Sequence, residues 1–407
     1  MNILVVNERL RPIGGTEVYV HRQARVLTDL GHEVVAVCAE DDEPGTDSPF
    51  ARRYQIPALF SAALNTSFVQ NAWRGGRALQ DVLERHRPDA CLLHILDAPI
   101  GVRILQARAP TLRFVHTPWT YCPAGTRWLR RSNQQCRAVQ GIRCLQVTRR
   151  EGCMVAPSGA PLAIRQALRR VGDMSLQAAY FRQSTLVCAN SAYSADEVVR
   201  LTGRSDNVRV LSPPVVPSAA TPRAPVSNRV LFAGRITREK GLSDLIRAIV
   251  GLPQVHLVVA GEGPERAKVA SLAADLGVAP RVEWLGWVDQ ITVDIAIQNS
   301  SVVVMPSLWA ETFGLTGIQA AMNRRPIVAY DSGGVRDWLT PEMGILVRAG
   351  DVVALAAAID SLTRDPVLAA RLGDAAYARA QSYLPERHGV SLELLLRDAC
   401  SRWRAPG

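Results

Sequence analysis

At 407 residues the chain exceeds what one hydrophobic core ordinarily fills, so two domains are the default expectation. Its 48% hydrophobic and 21% charged residues are those of a soluble globular protein, and no apolar run nears the roughly 20 residues of a membrane-crossing helix. The net charge of +10 is almost wholly arginine, since Lys240 and Lys268 are the only lysines among 47 basic side chains, a bias suggesting a GC-rich gene. No zinc finger, aromatic RNA-binding signature or recognition helix accompanies that charge, so nucleic acid is not an expected partner. An anionic membrane surface or a phosphate-bearing substrate suits it better.

The chain opens directly on a strand-like run, Ile3-Leu4-Val5-Val6, without a basic region followed by an apolar stretch. That predicts a cytoplasmic chain, peripheral at most on the inner face of the cell membrane. Further strands read at Glu33–Cys38, Ala90–His94, Leu112–His116 and Leu186–Asn190, with helical stretches such as Glu17–Leu30 and Trp73–His86 between them. Then comes Ser212–Pro225, too rich in proline for helix or central strand, which reads as a linker. The second half repeats the alternation with strands at Val230–Ala233, His256–Ala260, Val282–Leu285, Val302–Met305, Ile327–Tyr330 and Ile345–Val347. Such alternation predicts an α/β fold of two Rossmann-like, doubly wound domains facing each other across a cleft, with ligands at the carboxyl ends of the strands.

The loops after those strands carry the candidate chemistry. Gly14-Gly15 precedes the first helix, where glycines admit close backbone approach and free N–H groups face an anion. Gly234-Arg235 ends the first strand of the second half, and Lys240 stands near the next helix; two cations there suit a departing diphosphate. Gly261-Glu262-Gly263 is a weaker glycine turn. Glu311 precedes a helix, where its carboxylate can hold sugar hydroxyls; Phe313, Gly314 and Leu315 lead into that helix, and Gln319 lies about one and a half turns along it. Gly333-Gly334 forms another turn on the same edge.

Together, Gly14-Gly15-x-Glu17, Gly234-Arg235 with Glu239-Lys240-Gly241, Gly261-Glu262-Gly263, Glu311-x-Phe313-Gly314 and Gly333-Gly334 resemble family 4 glycosyltransferases of the two-domain GT-B type. The resemblance runs over nearly the whole chain and rests on the order and spacing of the motifs. It implies a UDP- or GDP-linked sugar donor, transfer with retention to a glycan, lipid-linked or small-molecule acceptor, and no metal needed for catalysis. By the same resemblance Arg235 and Lys240 bind the donor diphosphate, Glu311 orients the sugar, the Gly14-Gly15 loop covers the phosphates, and His116 touches the sugar. Two departures stand out. Gln319 occupies the place of a glutamate that holds the ribose, and His116 is followed by Thr117 where the family often has aspartate. They motivate a rival, a nucleotide-sugar binding protein with little or no turnover; another rival is a different chemistry on the fold, such as a sugar-phosphate synthase or an epimerase.

The expected organisation is an N-terminal acceptor-side domain (1–210) carrying a Cys/Arg-rich loop (120–155), a linker (211–228), a donor-binding domain (229–385), and a final helix segment (386–407) returning toward the first domain. In the loop, Cys122, Cys136, Cys144 and Cys153 are separated by gaps of 13, 7 and 8 residues, unlike the short-spaced knuckles of structural zinc sites. The loop also resembles a cysteine-containing insert in a subset of the family. It reads either as four free thiols or as a thiolate clip around a structural zinc ion, and its arginines as a solvated surface or a patch for a phosphate-bearing lipid or anionic glycan.

Overall fold

The computed structural model describes residues 1–11, 14–41, 48–60, 68–96, 98–156, 160–218 and 223–404, with only the backbone of 68–72. Part of the expected linker, 219–222, and the chain end, 405–407, lie outside them. Among the described residues the strands are β1 (Asn2–Val6), β2 (Glu33–Cys38), β3 (Arg52–Gln55), β4 (Ala90–Leu93), β5 (Thr111–Val115), β6 (Trp128–Leu129), β7 (Gln134–Gln135), β8 (Leu186–Ala189), β9 (Val208–Val210), β10 (Arg229–Ala233), β11 (His256–Ala260), β12 (Val282–Gly286), β13 (Val302–Met305), β14 (Ile327–Tyr330) and β15 (Gly344–Val347). The helices used below are α1 (Gly15–Asp29), α2 (Phe68–His86), α3 (Pro99–Arg108), α4 (Arg143–Glu151), α5 (Ile164–Gln183), α6 (Ala192–Thr202), α7 (Leu242–Ala248), α8 (Arg266–Asp275), α9 (Gln290–Gln298), α10 (Leu315–Met322), α11 (Val352–Arg364), α12 (Pro366–Ala380) and α13 (Pro385–Arg402).

The chain forms two compact units: Met1–His116 with Gly172–Pro214 and Pro385–Gly407, and Thr117–Val171 with Val215–Leu384. In the first, seven parallel strands run in the order β3-β2-β1-β4-β5-β8-β9. The inner strands are buried along most of their length, as strands covered on both faces must be. Helix α13 closes one face: Leu392, Leu396 and Ala399 join Tyr19, Leu27 and Phe114 in one core.

The second unit holds a parallel sheet in the order β12-β11-β10-β13-β14-β15. Side-chain caps start some of its helices: Asp289 accepts from the Thr292 N–H ahead of α9, and Asp351 from the Ala354 N–H ahead of α11. In both sheets the strand order reverses beside the first strand, between β1 and β4 and between β10 and β13. Doubly wound sheets bind ligands at such switch points, outside the carboxyl ends of the strands.

The segment 117–171, expected as part of the N-terminal domain, groups instead with the C-terminal unit. Its antiparallel β6–β7 pair places Trp128, 4% exposed, in the core that contains Phe232, Ile236 and Leu242. The Trp128 indole donates to Asn133 Oδ1 at 3.1 Å, and the Arg238 guanidinium lies over the ring. One large aromatic thus anchors a loop that looks wholly polar and cationic in sequence.

Candidate functional site

At the switch point of the C-terminal sheet, β10 leads into Gly234-Arg235 and β13 into the loop 306–314. Arg235 is exposed and has no carboxylate partner among the described residues. Lys240 behaves differently. Its Nζ donates to Glu311 Oε1 at 2.7 Å and sits 4.8 Å from the centre of the Trp309 ring. Ser307 Oγ donates to the same carboxylate oxygen at 2.6 Å. Glu311 is 6% exposed. Burial on its own would raise the Glu311 pKa, but the Lys240 charge and the hydrogen bonds from Lys240 and Ser307 together hold it below the ordinary carboxylate value. The carboxylate read in the sequence as a holder of sugar hydroxyls is buried and ion-paired here.

Backbone contacts fix that loop from three sides. The Leu308 and Trp309 N–H groups donate to the Glu239 carbonyl (2.8 and 3.3 Å), Ala310 N–H to Thr126 O (2.9 Å), and Gly334 N–H to Glu311 O (2.7 Å). Gly333 has φ +60°, and a Cβ there would strike the Glu311 backbone. Gly241, at φ +71°, likewise passes against the Pro306 carbonyl, where no side chain fits. Gly241 thus lets the lysine-bearing loop pass against the glutamate-bearing one, and Gly333 lets the turn after β14 pass against Glu311.

Gly234, Gly261 and Gly263 reach the same sheet edge but are explained by one another. Gly234 N–H donates to Ala260 O and Ile236 N–H to Glu262 O, and a Cβ on Gly261 or Gly263 would meet the backbone of Gly234 or Ile236. Gly314, at φ +93°, precedes α10, with Leu315 the first helical residue. Phe313 is buried against Trp338 and Tyr383, and its carbonyl accepts from the Trp338 indole at 2.6 Å. Gln319 is 8% exposed on α10, and no hydrogen bond to its side chain is present among the described residues.

In the N-terminal unit, Gly14 caps α1 and Gly15 begins it. His116 follows β5 and is joined by two histidines that motif reasoning passed over. His94 Nδ1 and His116 Nε2 are 2.8 Å apart with rings stacked at 5.0 Å, and Tyr19 packs edge-on against His94, His116 and His388. His388, on α13, places Nδ1 2.9 Å from Ser212 O. Burial pulls His116 down to about 3 and His388 to about 4, and burial with the two neighbouring histidines lowers His94. Neutral rings at neutral pH follow. Only a histidine at a strand end was legible for His94, and nothing in the local sequence of His388 signals its place.

Cys122, Cys136, Cys144 and Cys153 come together in the second unit. Burial raises the Cys144 and Cys153 thiols, and neighbouring thiols of the cluster add to it. Among the described residues no three His, Cys, Asp or Glu side chains are placed to hold a single metal ion. No described helix is long and apolar enough to cross a membrane.

A family model described as Glycosyltransferase Family 4 matches residues 13–219, and one described as Glycosyl transferases group 1 matches residues 219–379. The chain belongs to glycosyltransferase family 4. It is similar to a lipopolysaccharide core biosynthesis glycosyltransferase of Rhizobium meliloti (30% identity, covering 51% of this chain and 62% of the relative). It is also similar to a D-inositol 3-phosphate glycosyltransferase of Xylanimonas cellulosilytica (33% identity, 53% and 55%). The chain thus spans less than two thirds of the length of these curated relatives. Among solved structures, a sucrose-phosphate synthase of Thermosynechococcus elongatus superposes with TM-score 0.73 at 20% identity over 98% of both chains. Anabaena HepE in complex with UDP gives 0.68 at 17% over 98% and 100%. At such identities these likenesses establish the GT-B fold of this family member.

Proposed function

We propose that this family 4 member is a retaining glycosyltransferase that moves a sugar from a nucleoside diphosphate sugar, UDP- or GDP-linked, to a hydroxyl of a glycan, lipid-linked or small-molecule acceptor. The Lys240–Glu311 pair at the switch point of the C-terminal sheet, on the edge where the exposed Arg235 follows β10, carries this reading. UDP and UDP-glucose in the HepE structures support a nucleotide-sugar donor and favour the uridine form. On this reading Arg235 and Lys240 take the diphosphate, Glu311 the sugar hydroxyls, and Gln319 the ribose. Gly234, Gly261, Gly263, Phe313, Gly314 and Leu315 shape the donor pocket. Gly14, Gly15 and His116 keep the donor-contact roles that the family resemblance implies for them.

The bond from the anomeric carbon to the phosphate oxygen breaks while a bond to the acceptor oxygen forms on the same face. The acceptor proton passes to the departing phosphate oxygen, so no protein nucleophile and no resident metal is invoked. Arg235 and Lys240 stabilise the charge that develops on that oxygen, the kind of interaction that lowers a barrier because it strengthens in the transition state.

Calorimetric titration with UDP-, GDP- and ADP-sugars identifies the donor. Release of nucleoside diphosphate is then followed with and without acceptor extracts, and product anomers are read by NMR. Acceptor-dependent release with retained configuration is expected. Tight donor binding without release on any acceptor would favour the binding-protein rival that Gln319 and Thr117 motivate, and an inverted product would overturn retention.

A further inference from the structure

The N-terminal unit has a second concavity at the amino ends of its strands, the end opposite the one where His116 lies. Thr185 and Asn207 stand immediately before β8 and β9, and Arg103 and Gln106 lie on α3, the helix that leads into β5. A pocket of about 470 Å³ opens among them, within the range of roughly 300–1,000 Å³ of small-molecule sites. The five residues of β5 separate that end from His116, a strand length of about 16 Å.

Hydrogen bonds made within the unit hold the pocket floor. Asn207, 3% exposed, donates from Nδ2 to Phe181 O (2.9 Å) and Ser184 O (3.0 Å). Gln106 Nε2 donates to Tyr180 O (3.0 Å) and Ser184 Oγ (3.2 Å). The Trp403 indole donates to Gln106 O at 3.3 Å, which fixes an aromatic wall. Five guanidiniums surround this floor: Arg103 from α3, Arg182 from α5, Arg204 from the turn after α6, and Arg402 and Arg404 from the end of α13. All five residues are exposed, and no carboxylate lines the pocket among the described residues.

Structural contacts account for four of the five. Asp206 takes both sides of the Arg204 fork (2.6 and 2.7 Å), and Asp398 takes Arg402. Arg182 Nε donates to Thr202 O and Arg404 Nη1 to Ser401 O, each at 2.8 Å, as cations at helix C-termini do. Arg103 has neither kind of partner. It lies within α3, and no hydrogen bond or carboxylate contact of its side chain is present among the described residues. Three charges, on Arg103, Arg182 and Arg404, thus line one pocket without a carboxylate partner among the described residues.

Cations gathered over a concave polar floor concentrate anions, and the guanidinium fork matches a pair of phosphate oxygens. A single phosphate monoester brings about −1.5 to −2 near neutral pH, short of the three charges, whereas two linked phosphates match them. We infer that this pocket binds a ligand carrying two linked phosphate groups, with Arg103, Arg182 and Arg404 on the phosphates and Trp403 against the organic part. The ligand is either a soluble diphosphate ester or the diphosphate head of a lipid. The site is separate from Arg235 and Lys240, which belong to the other unit, and the inference does not rest on the transfer proposed above.

The full chain is titrated with inorganic pyrophosphate by calorimetry at low salt, as are Arg235→Ala and the double variant Arg103→Gln, Arg404→Gln. Binding should weaken by more than about tenfold in the double variant, through loss of two guanidinium contacts. It should persist in Arg235→Ala and weaken as salt is added. Thermal melting separates lost contacts from lost fold. Should the double variant melt early, Arg103→Gln alone, which removes no intramolecular bond, serves in its place, and Arg103→Lys should recover part of the affinity. Flotation with phosphatidylcholine vesicles, with and without a polyprenyl diphosphate, separates the two sources. Flotation that requires both the diphosphate lipid and Arg103 assigns the lipid, and pyrophosphate binding without flotation assigns the soluble ester. Heats no larger than dilution at about 1 mM pyrophosphate, or binding lost in Arg235→Ala and unchanged in the double variant, overturn the inference.

Discussion

Lys240 donates to Glu311 across 2.7 Å although 71 residues separate them in the chain. Two groups proposed for different ends of the donor thus neutralise each other in the free protein. Donor binding then becomes an exchange, in which the diphosphate recruits the lysine and the sugar hydroxyls recruit the glutamate.

Lys240→Ala is expected to reduce turnover by more than about tenfold through loss of transition-state charge stabilisation. It also leaves a buried carboxylate unbalanced, so its melting temperature should fall, and Glu311→Gln in the same chain should restore much of that loss. Thermal denaturation of the two single variants and the double variant measures the coupling. Additive effects would show that the pair contributes nothing to stability.

The pair also predicts a pH dependence. Glu311 has a folded pKa below its ordinary 4.5, so its contribution is complete above that value and is lost as pH falls through the lower folded value. The coupling measured by the double variant should therefore be constant from neutral pH to about 5 and shrink below about 4.5. A coupling already halved at pH 6 would contradict the assigned ionisation.

Glu311→Gln preserves shape while weakening hydrogen bonds to sugar hydroxyls. Transfer should drop more steeply than affinity for free nucleoside diphosphate, compared by kinetics and calorimetry. Parallel losses would place Glu311 on the nucleotide instead.

Gln319→Glu replaces ordinary hydrogen bonds, each about 0.5–1.5 kcal/mol, with charged ones of about 1.5–3. Nucleotide affinity should tighten by up to about tenfold, the factor that roughly 1.4 kcal/mol represents. Flat or weaker affinity in the titration would mean that the ribose is held elsewhere.

His388 is 4% exposed and its pKa is lowered to about 4 by burial. The unfolded chain takes up a proton near pH 6.5 and the folded chain does not, so stability is full above about 6.5 and declines toward pH 4, by about 1.4 kcal/mol per pH unit for one such group. His388→Gln should flatten that decline in urea-unfolding curves collected across this range. An unchanged slope would mean that the ring is charged in the folded state.

The central strands were legible because a parallel sheet covered on both faces demands unbroken apolar runs, and β2, β11, β13 and β14 fall on the residues expected. The edge strands β3 and β9 were not. Arg52-Arg53-Tyr54-Gln55 is polar and half-exposed, and an edge strand needs only one neighbour. The glycine turns announced the carboxyl edge of the second sheet, but the Lys240–Glu311 contact and the His94–His116–His388 group arise only when distant loops meet. Trp128 shows the same limit, since Arg127, Arg130 and Arg131 crowd it in sequence while its neighbours in space are the core.

The chain passes between its two units four times, at residues 116/117, 171/172, 214/215 and 384/385. Neither unit is an uninterrupted stretch of sequence. A fragment cut at the proline-rich linker keeps residues 117–171 without the sheet that receives Trp128 and loses the helix that supplies Leu392 and Leu396 to its core. Exchanging halves with a relative at that linker would leave each recombinant with a borrowed anchor on both sides. Specificity in this chain is therefore better transplanted loop by loop, with residues 117–171 moved together with the C-terminal half.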